Sequence, residues 1–156
     1  MRRPRVLAVV PARWGSTRFP GKPLATIAGE PMIVHVIRRA ARIGGVDRAL
    51  VATDDRRILA AVEAAGFEAR MTGRHRSGTG RVAEAAAGIP CGIVLNIQGD
   101  EPLLPVAGVE RLVETMLGDR GILMGTLASP CADDAEKANP DVVKAVVDAR
   151  GDDRLD

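Results

Sequence analysis

Aromatic residues are scarce in this sequence. One Trp, two Phe and no Tyr make up only 2% of the 156 residues. The hydrophobic content of 46% is nonetheless enough for the sizeable core of one domain. The core must therefore be built from Val, Ile, Leu, Ala and Met.

An excess of one charge is also missing, and cysteine is rare. The 22 basic and 20 acidic residues give a net charge of +2, which is too balanced for a general nucleic-acid binder. Any function that depends on charge must therefore be local. Cys91 and Cys131 lie far apart and form no CxxC pair, so we expect small, reduced core residues rather than catalytic or metal-binding thiols.

The sequence has no apolar run long enough to cross a membrane. The run VLAVV, residues 6–10, follows basic residues as in a secretory leader, but Pro11 and Arg13 cut it short. Neither a signal peptide nor a membrane span fits this segment. We therefore expect a soluble, cytoplasmic protein that binds neither membranes nor nucleic acid.

Strand-like and helix-like segments alternate along the chain. Short β-branched runs predict buried strands, and apolar residues spaced three and four apart predict helices. Predicted strands cover residues 6–10, 48–53, 67–71, 92–98, 122–129 and 142–149, and predicted helices cover 31–43, 55–66, 78–88 and 106–117. This order predicts one α/β domain over residues 1–156, a mostly parallel sheet with helices on both faces.

Three polar segments follow the predicted strands. They are PARWGSTRFPGKP at 11–23, TGRHRSGTGR at 72–81 and QGDEP at 98–102. Ligands of open parallel sheets bind beyond the carboxyl ends of the strands. The three segments are therefore expected to form one site.

The first segment carries three cations and no anion. Arg13, Arg18 and Lys22 supply the charge, and its glycines leave backbone N–H groups free to approach an anion. It is not a Walker loop, because five residues separate its glycines and Pro23 stands where that motif needs Ser or Thr. A phosphate cradle and an ordinary basic surface loop both remain open interpretations of this stretch alone.

The other two segments add a helix start and a carboxylate. Ser77 is a natural N-cap for the helix that follows it. His75 is either a ligand contact or a plain loop histidine, whereas His35, within a predicted helix, is structural. Asp100 follows the most apolar strand, opposite two cationic segments, which suits a Mg²⁺ ion held against a polyphosphate. Glu101 could share that role, and a solvated turn is the alternative.

Taken in order, these motifs resemble the 3-deoxy-manno-octulosonate (Kdo) cytidylyltransferases, also called CMP-Kdo synthetases. The resemblance runs from about Val6 to Asp148 and is carried by PARWGSTRFPGKPL, SGTGRVAE, VLNIQGDEPLL and NPDVVKAVVD. It implies a nucleotide-diphospho-sugar transferase-like, Rossmann-like fold and a homodimer. It also implies transfer of CMP from CTP to Kdo with Mg²⁺, releasing pyrophosphate, for lipopolysaccharide biosynthesis.

The resemblance also implies roles for individual residues. Arg13, Lys22 and Asp100 would be catalytic, with Arg13 and Lys22 on the triphosphate and Asp100 as the magnesium ligand. The nucleotide-binding residues would be Pro11, Ala12, Arg13, Ser16, Lys22, Ser77 and Gln98, of which Ser77 and Gln98 would border the cytidine.

The chain departs from the family pattern at three places. Gly80 replaces an acidic residue that would close a capping box, and Arg74 stands where an acidic residue is usual. Members also continue beyond Asp148 with the sugar site, much of the dimer interface and a second magnesium carboxylate. We therefore expect Mg–CTP binding without CMP-Kdo synthesis by this polypeptide alone. A cytidylyltransferase for sialic acid and a non-catalytic CTP-binding remnant are the alternatives.

Overall fold

The computed structural model describes residues 5–15 and 19–145. Internal contacts divide the chain into two compact units, one ending at Gly125 and the other beginning at Thr126. The described part of the second unit contains the short helix α5, Asp134–Ala138. Asp133 is its N-cap, and the Asp133 side chain accepts a hydrogen bond from the backbone N–H of Glu136. None of the described helices is both long and apolar enough to span a membrane.

The first unit is an α/β structure. Its strands are β1 (Val6–Ala12), β2 (Thr26–Ile27), β3 (Glu30–Pro31), β4 (Arg48–Thr53), β5 (Glu68–Met71) and β6 (Ile93–Asn96). Its helices are α1 (Met32–Ala40), α2 (Arg56–Ala64), α3 (Gly78–Ala86) and α4 (Val106–Gly118), and a short 3-10 turn covers Lys22–Leu24. Strands β2 and β3 form a small antiparallel hairpin that the sequence pattern does not reveal.

Four parallel strands form the main sheet in the order β5-β4-β1-β6. The inner strand β1 is the run VLAVV extended by Pro11 and Ala12, and residues 6–10 are each at most 1% exposed. Because β1 is covered on both faces, it is apolar throughout rather than alternating. The predicted parallel sheet is confirmed.

Helices cover both faces of this sheet. On one face, Val6, Ala8 and Val10 pack in a cluster with residues of α1, α2 and α4, such as Ile33, Ile58 and Val113. On the other face, Leu7 and Val9 pack with Leu50, Ala52, and Val82 and Ala85 of α3. In the described residues every buried hydrophobic side chain is Val, Ile, Leu, Ala or Met, as the composition predicts.

The cysteines and the last two predicted strands differ from expectation. Cys91 and Cys131 are free, but each is only half-buried. The prediction of a strand over 122–129 is wrong, since the segment forms no strand and Leu123 and Met124 are 94% and 89% exposed. An apolar run forms a strand only when a neighbouring strand pairs with it, and in residues 5–15 and 19–145 the main sheet ends at β6. Of the strand predicted over 142–149, residues 142–145 are not strand and the others lie outside the described residues.

Candidate functional site

A cavity of about 640 Å³ opens at the carboxyl ends of the parallel strands. Residues from all three polar segments line it, because the segments leave β1, β5 and β6 at the same edge of the sheet. The predicted site residues among its lining are Pro11, Ala12, Arg13, Lys22, Ser77, Gln98 and Asp100. Ser16 lies outside the described residues. The cavity thus brings together the predicted residues that the structure describes.

Lys22 and Asp100 form an ion pair in the lining of the cavity. The Lys22 Nζ donates to Asp100 Oδ2 at 2.6 Å, although the residues are 78 positions apart in the chain. Lys22 begins the 3-10 turn directly after Gly21, which has a left-handed φ of 72°. The two side chains are 39% and 53% exposed, so the pair itself contributes only about 0–1 kcal/mol to stability. Separating the cation from the carboxylate therefore costs little free energy.

Gly99 lets the loop after β6 lie against the end of β1. A Cβ at position 99 would stand 2.6 Å from the backbone oxygen of Pro11, closer than real Cβ contacts. Only glycine fits this approach without a shift of the backbone. The glycine of QGDEP is thus what brings Asp100 beside the segment that follows β1.

The N-terminus of α3 also lines the cavity, through Ser77 and Gly78. Ser77 caps this helix, its Oγ accepting a hydrogen bond from the backbone N–H of Gly80 at 3.1 Å, which confirms the predicted N-cap. The first turn of α3 carries no acidic residue, so no capping box forms. A Cβ at Gly80 would lie 3.1 Å from Nδ1 of His75, so the glycine leaves room for the imidazole ring.

His75 lines the cavity, and its imidazole ring is held by Glu84 of α3. Its Nε2 contacts the Glu84 carboxylate, and the same carboxylate accepts from the backbone N–H of Gly73 at 3.1 Å. The hydrogen bonds from His75 and from Gly73 lower the pKa of Glu84 below its ordinary value. With a side chain 26% exposed, His75 is a half-buried, anchored residue rather than a plain exposed loop histidine. His35 is structural, as expected, with its Nε2 2.8 Å from the backbone oxygen of Ile27.

Sequence reasoning missed a buried arginine in the cavity wall. The Arg81 side chain is 3% exposed; its guanidinium donates to Thr72 Oγ1 at 2.5 Å and to Asp54 Oδ2 at 2.7 Å. It thereby joins α3 to the segments that follow β4 and β5. Among the described residues Arg81 is the one buried charged side chain. The acidic pair in VATDD, residues 51–55, was the available signal for a buried partner.

Sequence reasoning also missed the packing around Trp14. The Arg57 guanidinium lies 3.3 Å from the centroid of the indole ring. The ring covers Gly21, where a Cβ would stand 2.7 Å from its Cη2 atom. The backbone N–H of Gly21 donates to the carbonyl oxygen of Trp14 at 3.0 Å. Nothing in the spacing of Trp14 and Arg57 along the chain indicates this contact.

The described residues contain no group of three His, Cys, Asp or Glu side chains placed to hold a metal ion. Asp100 is the one acidic side chain among those that line the cavity. Mg²⁺ is commonly held by one or two carboxylates together with substrate phosphates. The donors present therefore fit a divalent ion that is shared with a bound phosphate, and not one held by the protein alone.

A parallel sheet with a cationic, glycine-lined cavity at its carboxyl edge defines an α/β protein of the class that binds its ligands at this edge. The family described as "Cytidylyltransferase" matches residues 7–156, nearly the whole chain. The chain belongs to the cytidylyltransferase family.

Curated relatives of this chain are named 3-deoxy-manno-octulosonate cytidylyltransferase. The relative from Trichlorobacter lovleyi is 48% identical over 148 residues, which are 94% of this chain and 59% of that protein. The relative from Anaeromyxobacter dehalogenans is 52% identical over 149 residues, 94% of this chain and 60% of that protein. The chain thus spans about three-fifths of the length of these relatives, and the resemblance drawn from the motifs is confirmed.

Solved structures agree with the fold. The structure of CMP:2-keto-3-deoxy-manno-octonic acid synthetase complexed with CTP matches with a TM-score of 0.74 and 45% identity, over 76% of this chain and 49% of that one. The complex of Rv0371c from Mycobacterium tuberculosis with manganese matches with a TM-score of 0.54 over 73% of this chain and 60% of that one. At 17% identity this second match shows the fold alone.

Proposed function

We propose that this chain is the nucleotide-binding part of a 3-deoxy-manno-octulosonate cytidylyltransferase. The reaction transfers CMP from CTP to Kdo and releases pyrophosphate. One observation carries the proposal: the family's motif residues meet in one cavity, where Lys22 and Asp100 lie 2.6 Å apart. The shared name of the 45–52% identical relatives supports Kdo over a sialic acid as the acceptor.

The proposed roles follow from charge and position. Lys22 and Arg13 bind the triphosphate, because ammonium and guanidinium groups form charge-assisted hydrogen bonds with phosphate oxygens. Pro11 and Ala12, at the end of β1, lie along the nucleotide. Ser77 and Gln98 line the cavity from other elements and border the cytidine. Ser16 completes the proposed nucleotide-binding set.

A divalent cation accompanies CTP in this proposal, with Asp100 as its protein ligand. A carboxylate among cationic lining residues supports a divalent metal shared with a phosphate, and Mg²⁺ is the ion that the family resemblance implies. When bound, such an ion neutralises charge on the phosphate oxygens. Since Asp100 is the one carboxylate among the described residues that line the cavity, phosphate oxygens of the nucleotide and water would supply the other oxygen ligands.

In the reaction, the anomeric hydroxyl of the sugar attacks the α-phosphorus of CTP in line, and pyrophosphate leaves. No covalent protein intermediate is needed. Positioning and fixed positive charge supply most of the catalysis, because charge spreads over the phosphate oxygens as the bonds exchange. Lys22 on the outer phosphates would stabilise the leaving pyrophosphate.

Nucleotide binding without sugar transfer is the expected behaviour of this polypeptide alone. The described residues supply a nucleotide cavity with a single acidic side chain in its lining. The family's sugar contacts and second magnesium carboxylate belong, by resemblance, to the part of the relatives that this chain does not match. The homodimer and the cytoplasmic location implied by the resemblance stay predictions.

The first experiment compares Lys22→Ala with the wild type by isothermal titration calorimetry. We expect Lys22→Ala to weaken binding of Mg–CTP by about tenfold or more and binding of CMP much less, since a charge-assisted contact contributes about 1.5–3 kcal/mol. Lys137→Ala is the matched control, because Lys137 pairs with Asp134 in the other unit. Equal losses for CTP and CMP would place Lys22 away from the outer phosphates.

The same titrations test the identity of the ligand. We expect the affinity for Mg–CTP to exceed the affinity for Mg–UTP. In a separate assay of pyrophosphate release, we expect no release when Kdo is added to Mg–CTP and the protein. A wild-type chain that binds neither nucleotide, or binds both alike, would contradict the proposed function. Pyrophosphate release that requires Kdo and is abolished by Asp100→Ala would show that the polypeptide is active by itself.

A further inference from the structure

Trp14 stands next to the cavity without lining it. The indole ring lies directly over Gly21, where a Cβ would meet ring atoms at 2.7–3.1 Å. The hydrogen bond from the Gly21 N–H to the Trp14 carbonyl oxygen, 3.0 Å long, fixes the same two residues through their backbones. Lys22 is the next residue in the chain. The ring therefore lies against the backbone that leads directly into Lys22.

The other side of the ring is held by α2. The Arg57 guanidinium lies 3.3 Å from the ring centroid, a cation–π contact. Arg57 is itself fixed by Asp55, to which its Nη2 and Nε donate at 2.6 and 3.0 Å. Asp55 is also the N-cap of α2 and accepts from the Arg57 backbone N–H at 2.9 Å. The ring is thus clamped between a helix terminus and Gly21.

These contacts form a continuous path from α2 to the proposed phosphate site. It runs from Asp55 through Arg57, Trp14 and Gly21, and ends at Lys22, whose ammonium group pairs with Asp100 at 2.6 Å. Gly21 has a φ of 72°, a left-handed conformation that glycine adopts readily. A freely moving glycine would leave Lys22 poorly placed, and the ring above it limits that movement.

We propose that Trp14 is a positioning residue that holds Lys22 in place for the outer phosphates of a nucleoside triphosphate. The inference rests on the proposed function and adds a residue to which neither the motif nor the cavity lining assigns a role. Trp14 acts through Gly21 and does not touch the ligand. The effect of removing it must therefore depend on how many phosphates the ligand carries.

The test measures dissociation constants for Mg–CTP and CMP with Trp14→Ala, Trp14→Phe and Arg57→Ala. We expect Trp14→Ala to weaken Mg–CTP about fivefold, the size of an exposed cation–π contact together with lost packing, because the Arg57 side chain is 56% exposed. The affinity for CMP should change less than about twofold. Trp14→Phe retains a ring over Gly21 and should restore most of the affinity. Arg57→Ala should weaken Mg–CTP by a smaller factor than Trp14→Ala, because the ring remains.

A double-mutant cycle tests the path through Gly21. Gly21→Ala in the wild type places a Cβ against the indole ring, whereas in Trp14→Ala that space is free. We therefore expect Gly21→Ala to reduce Mg–CTP affinity by a smaller factor in the Trp14→Ala background than in the wild type. Full additivity of the two changes would overturn the proposal.

Trp14 also provides a direct signal, because it is the single Trp of the chain. Its fluorescence should change when Mg–CTP binds and change less with CMP. Unchanged Mg–CTP affinity in Trp14→Ala, or equal losses for Mg–CTP and CMP, would overturn the positioning role while leaving the proposed function intact. A wild-type chain that fails to bind Mg–CTP would overturn both.

Discussion

Replacing Arg81 by Met removes the one buried charged side chain that the structure describes and leaves its partners behind. Asp54 and Thr72 lose guanidinium contacts of 2.7 and 2.5 Å. Breaking a buried ion pair from one side costs about 3–5 kcal/mol, because the remaining charge is uncompensated. Since the Asp54 side chain is 25% exposed and can regain water, we expect the lower end, about 3 kcal/mol. That is a large share of the roughly 5–15 kcal/mol that stabilises a typical domain.

The assay is urea unfolding followed by circular dichroism, with the free energy of unfolding extrapolated to water. Arg81→Lys should lose less free energy of unfolding than Arg81→Met. The lysine ammonium group keeps the positive charge, but it lacks the planar guanidinium that donates to Asp54 and Thr72 together. Arg111→Met, on the exposed side of α4, is the matched control and should change stability by no more than about 0.5 kcal/mol. Adding Asp54→Asn to Arg81→Met should recover part of the loss. A loss below about 1 kcal/mol for Arg81→Met would refute the reasoning, because the pair would then not behave as buried.

Two further predictions concern residues around the cavity. Gly99→Ala should lower the free energy of unfolding in urea by about 1–3 kcal/mol and weaken Mg–CTP binding, because its Cβ would stand 2.6 Å from the Pro11 backbone oxygen. The control is Gly118→Ala, which has open space around its Cβ and should cause neither loss. The lowered pKa of Glu84 means that its contribution to stability is present above its ordinary pKa of about 4.5 and is lost as pH falls through the lower folded-state value. Thermal unfolding from pH 7 to 3 should therefore show a smaller acid-induced decrease for Glu84→Gln than for the wild type, and equal decreases would contradict this contribution.

The elements that the sequence predicts correctly are those determined by local pattern. The run VLAVV specifies β1 because each of its residues can be buried, and Ser77 caps α3 through a bond to a residue three positions away. The segment 122–129 has a similar apolar pattern but no strand forms there. Pairing depends on a partner that lies elsewhere in the chain, and pattern alone carries no information about that partner.

The candidate site shows the same division. The meeting of Lys22 and Asp100 could be predicted, although they are 78 residues apart, because the carboxyl ends of parallel strands lie at one edge. The partners of Arg81 and Trp14 could not, since no topological rule states which side chain reaches which. Arg57 is separated from Trp14 along the chain by the hairpin of β2 and β3, by α1 and by β4. Such contacts depend on side-chain directions that become known only once the elements are packed.

The ion pair between Lys22 and Asp100 has a thermodynamic consequence for the proposed ligands. While paired, each group is partly neutralised by the other, so a phosphate that takes Lys22 frees Asp100 for a cation, and a cation that takes Asp100 frees Lys22. Two ligands coupled in this way obey reciprocity: the factor by which the metal tightens CTP equals the factor by which CTP tightens the metal. Because the pair is exposed and contributes only about 0–1 kcal/mol, its own share of this coupling amounts to no more than about fivefold. The ion pair thus favours two states of the cavity. In one, Lys22 and Asp100 pair with each other and no ligand is bound, and in the other, nucleotide and metal are bound together. States with only one of the two ligands are disfavoured.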